Sequence, residues 1–191
     1  MLTNKAKSSD TLGASVAAGG ATKNGVAGGG VFTVQCFDKD GNLKWEEKNR
    51  NLVVNEGLQD MNTNYFKGSS YTAAWYIGLV TGPGAGNTYA AGDTLASHAG
   101  WSEDSNYSGS RKAVTFGTAT TADPSVIDNS GSPSSFSITG TTTVGGAFLC
   151  SVASGTSGVL FSVSSFQSPG DRSVVSGDTL NVTYTFSLDA A

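Results

Sequence analysis

The chain reads as all-β: a jelly-roll-like β-sandwich with one or two short helices and an extended N-terminal arm. Three observations point there. Residues 75–188 form a long tract poor in charge, with no lysine after Lys112 and no glutamate after Glu103. The chain holds 26 glycines together with abundant Ser and Thr, the residues that many short strands and tight turns require. Several segments alternate apolar and polar residues with a period of two. The clearest sets Leu180, Val182, Tyr184 and Phe186 against Asn181, Thr183, Thr185 and Ser187. With 191 residues the chain can bury one core of ordinary size.

Residues 1–30 stand apart. Residues 17–30 (AAGGATKNGVAGGG) are small and of low complexity, with no periodic apolar face, so they cannot fold alone. They read as a free tail or as an arm that orders over a partner. Ala17, Gly19, Gly20, Lys23, Val26, Gly28, Gly29 and Gly30 are its candidate partner-binding residues. The body, 31–191, divides into a hairpin plus a short helix (31–72) and the main β tract (73–191).

In residues 31–38, Phe32, Val34 and Cys36 alternate with Val31, Thr33 and Gln35, which predicts a strand. Asp38 to Asn42 supply a turn with Gly41 at a positive φ, and residues 43–48 return as the second strand. Asp38, Asp40 and Asn42 resemble the start of a calcium loop. Leu43 stands where that loop needs glycine, and Asn49 where it needs glutamate, so turn chemistry is the better account. Residues 51–54 predict a short strand. Asn55 is a candidate N-cap for a helix running to about Phe66, with Leu58, Met61, Tyr65 and Phe66 at helical spacing as its core face.

Residues 74–80 (AWYIGLV) predict a central strand, and residues 82–87 a surface glycine loop without the Lys-Ser/Thr of a phosphate cradle. Residues 93–101 (DTLASHAGW) predict a helical turn opened by Asp93 and ended by Gly100. Further strands are expected at 111–118, 134–139, 144–152, 159–166 and 179–188.

Charged residues make up 14% of the chain, against about 25% in an average domain, and the net charge is −4. Nucleic-acid binding, which needs clustered Lys and Arg, is disfavoured. No apolar run reaches the ~20 residues of a membrane span, and no apolar segment follows Lys5 and Lys7, so a soluble protein is expected. Cys36 and Cys150 read as buried free thiols, not as a disulfide or a zinc site.

Catalytic parts are scarce. The single histidine, His98, could pair with Asp93 or Asp104, but no nucleophile in a strained turn can be singled out, and a hydrogen-bonding role is expected. Glu103 and Asp104 are adjacent, so in a strand they point to opposite faces rather than flanking a sugar bond. Arg111 reads as a donor to loop carbonyls, and Asp171-Arg172 as an ion pair or a turn. Trp75, Tyr76, Trp101 and Tyr107 could line a sugar site, although core packing is the simpler account. The sequence therefore predicts no enzyme, with no catalytic, cofactor-binding or metal residues and no cofactor.

The order of motifs resembles a family of small virion proteins of tailed bacteriophages. The motifs are WYIGL at 75–79, DTLASHAGW at 93–101, Tyr107 and Arg111, GAFLCS at 146–151, GVLFS at 158–162, Asp171-Arg172, and GDTLNVTY at 177–184. The likeness covers about the last 115 residues and is most specific around His98–Trp101 and in the final strand. It implies a capsid decoration (cement) protein on the outer head surface, assembled in the bacterial host cytoplasm. The implied partner is the major capsid protein, with self-association as a dimer or trimer and no contact with nucleic acid or membrane. The alternative is a tail or head adhesin, or a carbohydrate-binding β-sandwich module.

Overall fold

The computed structural model describes residues 26–67, 74–82, 87–166 and 170–190, and these form an all-β sandwich of two antiparallel sheets with one helix. In the first sheet the order is β2 (Leu43–Arg50), β1 (Val26–Phe37), β12 (Thr179–Ala190) and β7 (Ser125–Asp128). β8 (Ser134–Ser137) pairs with the other end of β12. The second sheet runs β3 (Leu52–Val53), β10 (Leu160–Ser165), β9 (Thr142–Cys150), β4 (Tyr76–Thr81) and β5 (Glu103–Asp104). There β11 (Arg172–Val174) joins β9, and β6 (Lys112–Ala113) joins β4. The helix α1 (Asn55–Phe66) leaves β3 and packs on β10.

Alternation explains the layering. Phe32, Val34 and Cys36 from β1 and Leu180, Val182 and Tyr184 from β12 face Ile77, Leu79, Ala147 and Leu149 across the sandwich. The second sheet is covered on its outer face as well. Val80, Phe148, Cys150, Leu160 and Val163 form a second cluster there with Val54, Leu95 and Trp101. Burial on both faces is why β4 and β9 read as continuous apolar runs rather than as alternating strands. Gly78 lies opposite Phe148 in the ladder, and a Cβ at Gly78 would run into the Phe148 ring.

Several expectations shift. The hairpin turn forms as anticipated: the Asp38 carboxylate accepts from the amides of Asp40 and Asn42, both at 2.9 Å, and Gly41 has φ of 84°. These bonds, with that from the Asn42 amide side chain, hold the Asp38 carboxyl below its ordinary value. The helix has the expected bounds, but its N-cap is Val54, without a side-chain cap bond, and not Asn55. Asn55 instead donates its backbone N–H to Ala91 O at 2.8 Å.

Residues 93–101 are no helical turn. An antiparallel bridge between Thr94 and Ser97 closes them, and the Asp93 carboxylate accepts from Ala90 N and from the Trp101 indole, both at 3.1 Å. The strand expected at 111–118 pairs only at Lys112–Ala113, because the chain then crosses to the first sheet. Val114 still donates to Trp75 O, whereas Gly117 donates to Asp128 O beside β7.

Candidate interaction surface

Of the expected partner-binding residues, Ala17, Gly19, Gly20 and Lys23 lie outside the described residues. Val26, Gly28, Gly29 and Gly30 do not belong to a separate arm. They are the first part of β1, which pairs residue for residue with β12 from Val26↔Ala190 to Phe37↔Thr179. The apolar alternation starts only at Val31, because the glycines before it carry no side chains to alternate. At two of them the missing side chain makes room for the neighbouring strand: a Cβ at Gly30 would sit 2.6 Å from the Tyr184 hydroxyl, and one at Gly28 would crowd Phe186 at 3.3 Å. Asn51 locks this corner, accepting from Gly30 N at 2.7 Å and donating to the Tyr184 hydroxyl at 2.9 Å.

Beside this strand root lies an apolar surface. Leu58, Tyr65 and Phe66, expected in the core, are 48%, 81% and 80% exposed. The residue by which α1 is buried is Gly57, whose Cα sits so close to the Phe161 backbone that a Cβ would meet its carbonyl oxygen. Close backbone approach, not an apolar stripe, seats the helix, and Glu56 adds a bond from Leu160 N at 2.8 Å. Met61 alone of the four expected residues packs against the core. The apolar side of α1 is thereby turned outward, above a groove of about 770 Å³ whose far wall is formed by Val26, Phe186 and Leu188.

The other candidates make bonds within the fold. His98 stacks on Trp101 with centroids 3.9 Å apart, and its Nδ1 lies 3.0 Å from Trp101 O, so the ring tethers its own turn. Asp93 is spent on Trp101, as above, and Asp104 accepts from Thr142 Oγ1 at 2.6 Å and Asn106 N at 2.7 Å. Glu103, on the opposite face of β5, forms a two-point pair with Arg111 at 2.8 and 2.7 Å. Arg111 also donates to Val152 O and Gly155 O, as a loop-carbonyl donor should. The ion pair shown for Arg172 is with Glu47. Its guanidinium reaches Glu47 at 2.7 Å and lies over Trp45.

Trp101 and Tyr107 are only 5% and 7% exposed, Trp75 packs edge-on against Phe161, and Tyr76 belongs to the second cluster. These four aromatics form no common platform for a sugar. Of the glycine loop, residues 83–86 lie outside the described residues. Cys36 and Cys150 are free and buried. Burial and the neighbouring Asp178 carboxylate push the Cys36 thiol up from 9.0 to about 11, which removes its nucleophilicity at neutral pH.

No family model matches the chain, and neither do any of the curated proteins or solved structures with which it was compared. Among the described residues no cluster of three or more His, Cys, Asp or Glu could hold a metal, and no helix is long and apolar enough to cross a membrane.

Proposed function

We propose that this chain is a bacteriophage capsid decoration protein. It binds the major capsid protein on the outer head surface through residues 1–25, with the sandwich as the body that sits on the shell. The observation that carries this reading is the root of the arm. All twelve residues of β1 are paired with β12, so tension on residues 1–25 passes directly into a central strand of the sandwich. A ligand that binds only the assembled shell stabilises that shell by mass action, and an arm that orders on contact covers several subunits. Self-association as a dimer or trimer fits a site near a capsid symmetry axis.

The β2 edge of the first sheet is a poorer contact. Edge strand β2 carries Lys44, Glu46, Lys48 and Arg50 along its exposed positions, the kind of charge that discourages strand addition. Deleting residues 1–25, while keeping Val26–Gly30 in the sheet, should abolish occupancy of purified heads and leave the thermal midpoint of the body within a few degrees of the full chain. Full occupancy by the truncated protein would remove the arm from the reading. Copy number near that of the major capsid protein, scored by gel densitometry, separates decoration from a tail component.

A further inference from the structure

We propose that the groove between α1 and the paired ends of β1 and β12 is the seat of this chain's own residues 1–25, with Leu12 and Val16 as the side chains that enter it. In the free protein the arm is parked there, and shell binding draws it out. This deepens the attachment reading and rests on it for the arm's destination.

The seat is apolar and open. Val26, Leu58, Met61, Trp75, Phe186 and Leu188 line it, and the helix leaves Leu58, Tyr65 and Phe66 exposed along its margin. Contiguous apolar surface of this kind marks a docking site. Three features select the occupant.

The first is position. Val26 is both a wall of the groove and the residue that residues 1–25 join, so the segment leaves the sheet at the groove's edge. A tether this short gives an effective concentration on the order of millimolar. Leu12 is separated from Val26 by a stretch that spans up to about 45 Å when extended, ample to reach any part of the groove.

The second is charge. Residues 1–25 carry Lys5, Lys7 and Lys23 against Asp10. Helix α1 carries Glu56 and Asp60 with no basic residue, and Asp60 lines the groove. Opposite signs favour and orient the encounter.

The third is the pattern of the segment itself. Its large apolar residues are Met1, Leu2, Leu12 and Val16. Leu12 and Val16 are four apart, a spacing that puts both on one face in a helix and in a strand alike. Either backbone conformation therefore delivers the pair together.

Hydrogen exchange on the full chain tests this, comparing wild type with Leu12→Asp combined with Val16→Asp. The α1 amides, residues 55–66, should exchange about tenfold faster in the variant, because burial of two such side chains no longer holds the helix closed. Exchange in β4 and β9, which do not line the groove, should be unchanged, which shows that the sandwich is folded. Unchanged α1 exchange overturns the proposal, as it would if residues 68–73 rather than the arm cover the groove. Wild-type α1 protection that rises with protein concentration also overturns it, because the groove is then an interface between copies. Head occupancy reports separately on the attachment reading: full occupancy after deletion of residues 1–25 defeats that reading whatever α1 does. Unchanged α1 exchange defeats parking whatever the occupancy.

Discussion

At the scale of single residues, this fold depends on absent side chains as much as on present ones. Gly78 sits in a central strand where glycine is ordinarily a weakness. Its cross-strand neighbour Phe148 lays its ring over the bare Cα, and Arg111 stacks on that ring 5.2 Å from its centroid. Alanine is the better strand residue by backbone entropy, by roughly 0.5–1 kcal/mol. The clash outweighs this, because Phe148 is fully buried and can move only by disturbing Leu95, Trp101 and Leu160 around it. Gly78→Ala should therefore cost about 1–3 kcal/mol, read as a lower urea midpoint with unchanged slope. A midpoint at or above wild type would mean that the outer core repacks freely. The glycine was visible in the sequence as an interruption of an apolar run. Its partner, 70 positions further on, was not visible, since no local pattern reports cross-strand register.

At the scale of elements, helix α1 shows where a helical period misleads. Leu58, Met61, Tyr65 and Phe66 have the spacing of a core stripe, yet only Met61 packs inward. The helix bounds were legible because the apolar residues from Leu58 to Phe66 recur at helical spacing and a polar Asn55 opens the segment, although the cap itself is Val54. The orientation was not, because the anchor is Gly57, a residue that carries no hydrophobicity. Gly57→Ala separates the two accounts. On propensity alone it should stabilise α1 by about 1 kcal/mol. Against that, the new Cβ meets the Phe161 carbonyl, a backbone atom of a buried strand that cannot rotate away. The backbone contact should win. We expect a net loss of about 1–2 kcal/mol in denaturant unfolding, with α1 amides losing more hydrogen-exchange protection than β9 or β4. A gain in stability would show that α1 sits loosely on β10. β1 carries the complementary lesson: Val31–Phe37 was legible by alternation, whereas Val26–Gly30 became strand only through Tyr184, Phe186 and Asn51, contributed by distant segments. Residues 17–30 were thus readable as low complexity, but the pairing of Val26–Gly30 with β12, on which the proposed attachment rests, was not.

At the scale of the whole molecule, the ionisable groups that folding perturbs most among the described residues are those buried in their neutral forms. Burial, and secondarily the Asp178 carboxylate, raises Cys36 from 9.0 to about 11, and burial raises Tyr89 from 10.0 to about 12. Burial also raises Cys150, Tyr107 and Tyr184. Lys44 is raised for the opposite reason, since its bond to Asp178 at 2.5 Å favours the charged form. The sign is common to all of them. Between the unfolded and folded values the unfolded chain has released a proton that the native chain still holds, so stability falls as pH rises. Their contribution is intact below about pH 9 and is lost progressively between about 9 and 12, with Cys36 alone worth roughly 2–3 kcal/mol. On the acid side the lowered groups, Asp38 and Asp128, are held by turn hydrogen bonds near the surface, and their contribution fades only as pH drops through the carboxylate range. The thermal midpoint should therefore be flat from about pH 6 to 9 and fall steeply above it. Cys36→Ala, although less stable at pH 7 through its small cavity, should show a shallower decline between pH 9 and 11 than wild type. Parallel declines for the two proteins would assign the alkaline loss to the tyrosines and Lys44 instead of the thiol beneath β1.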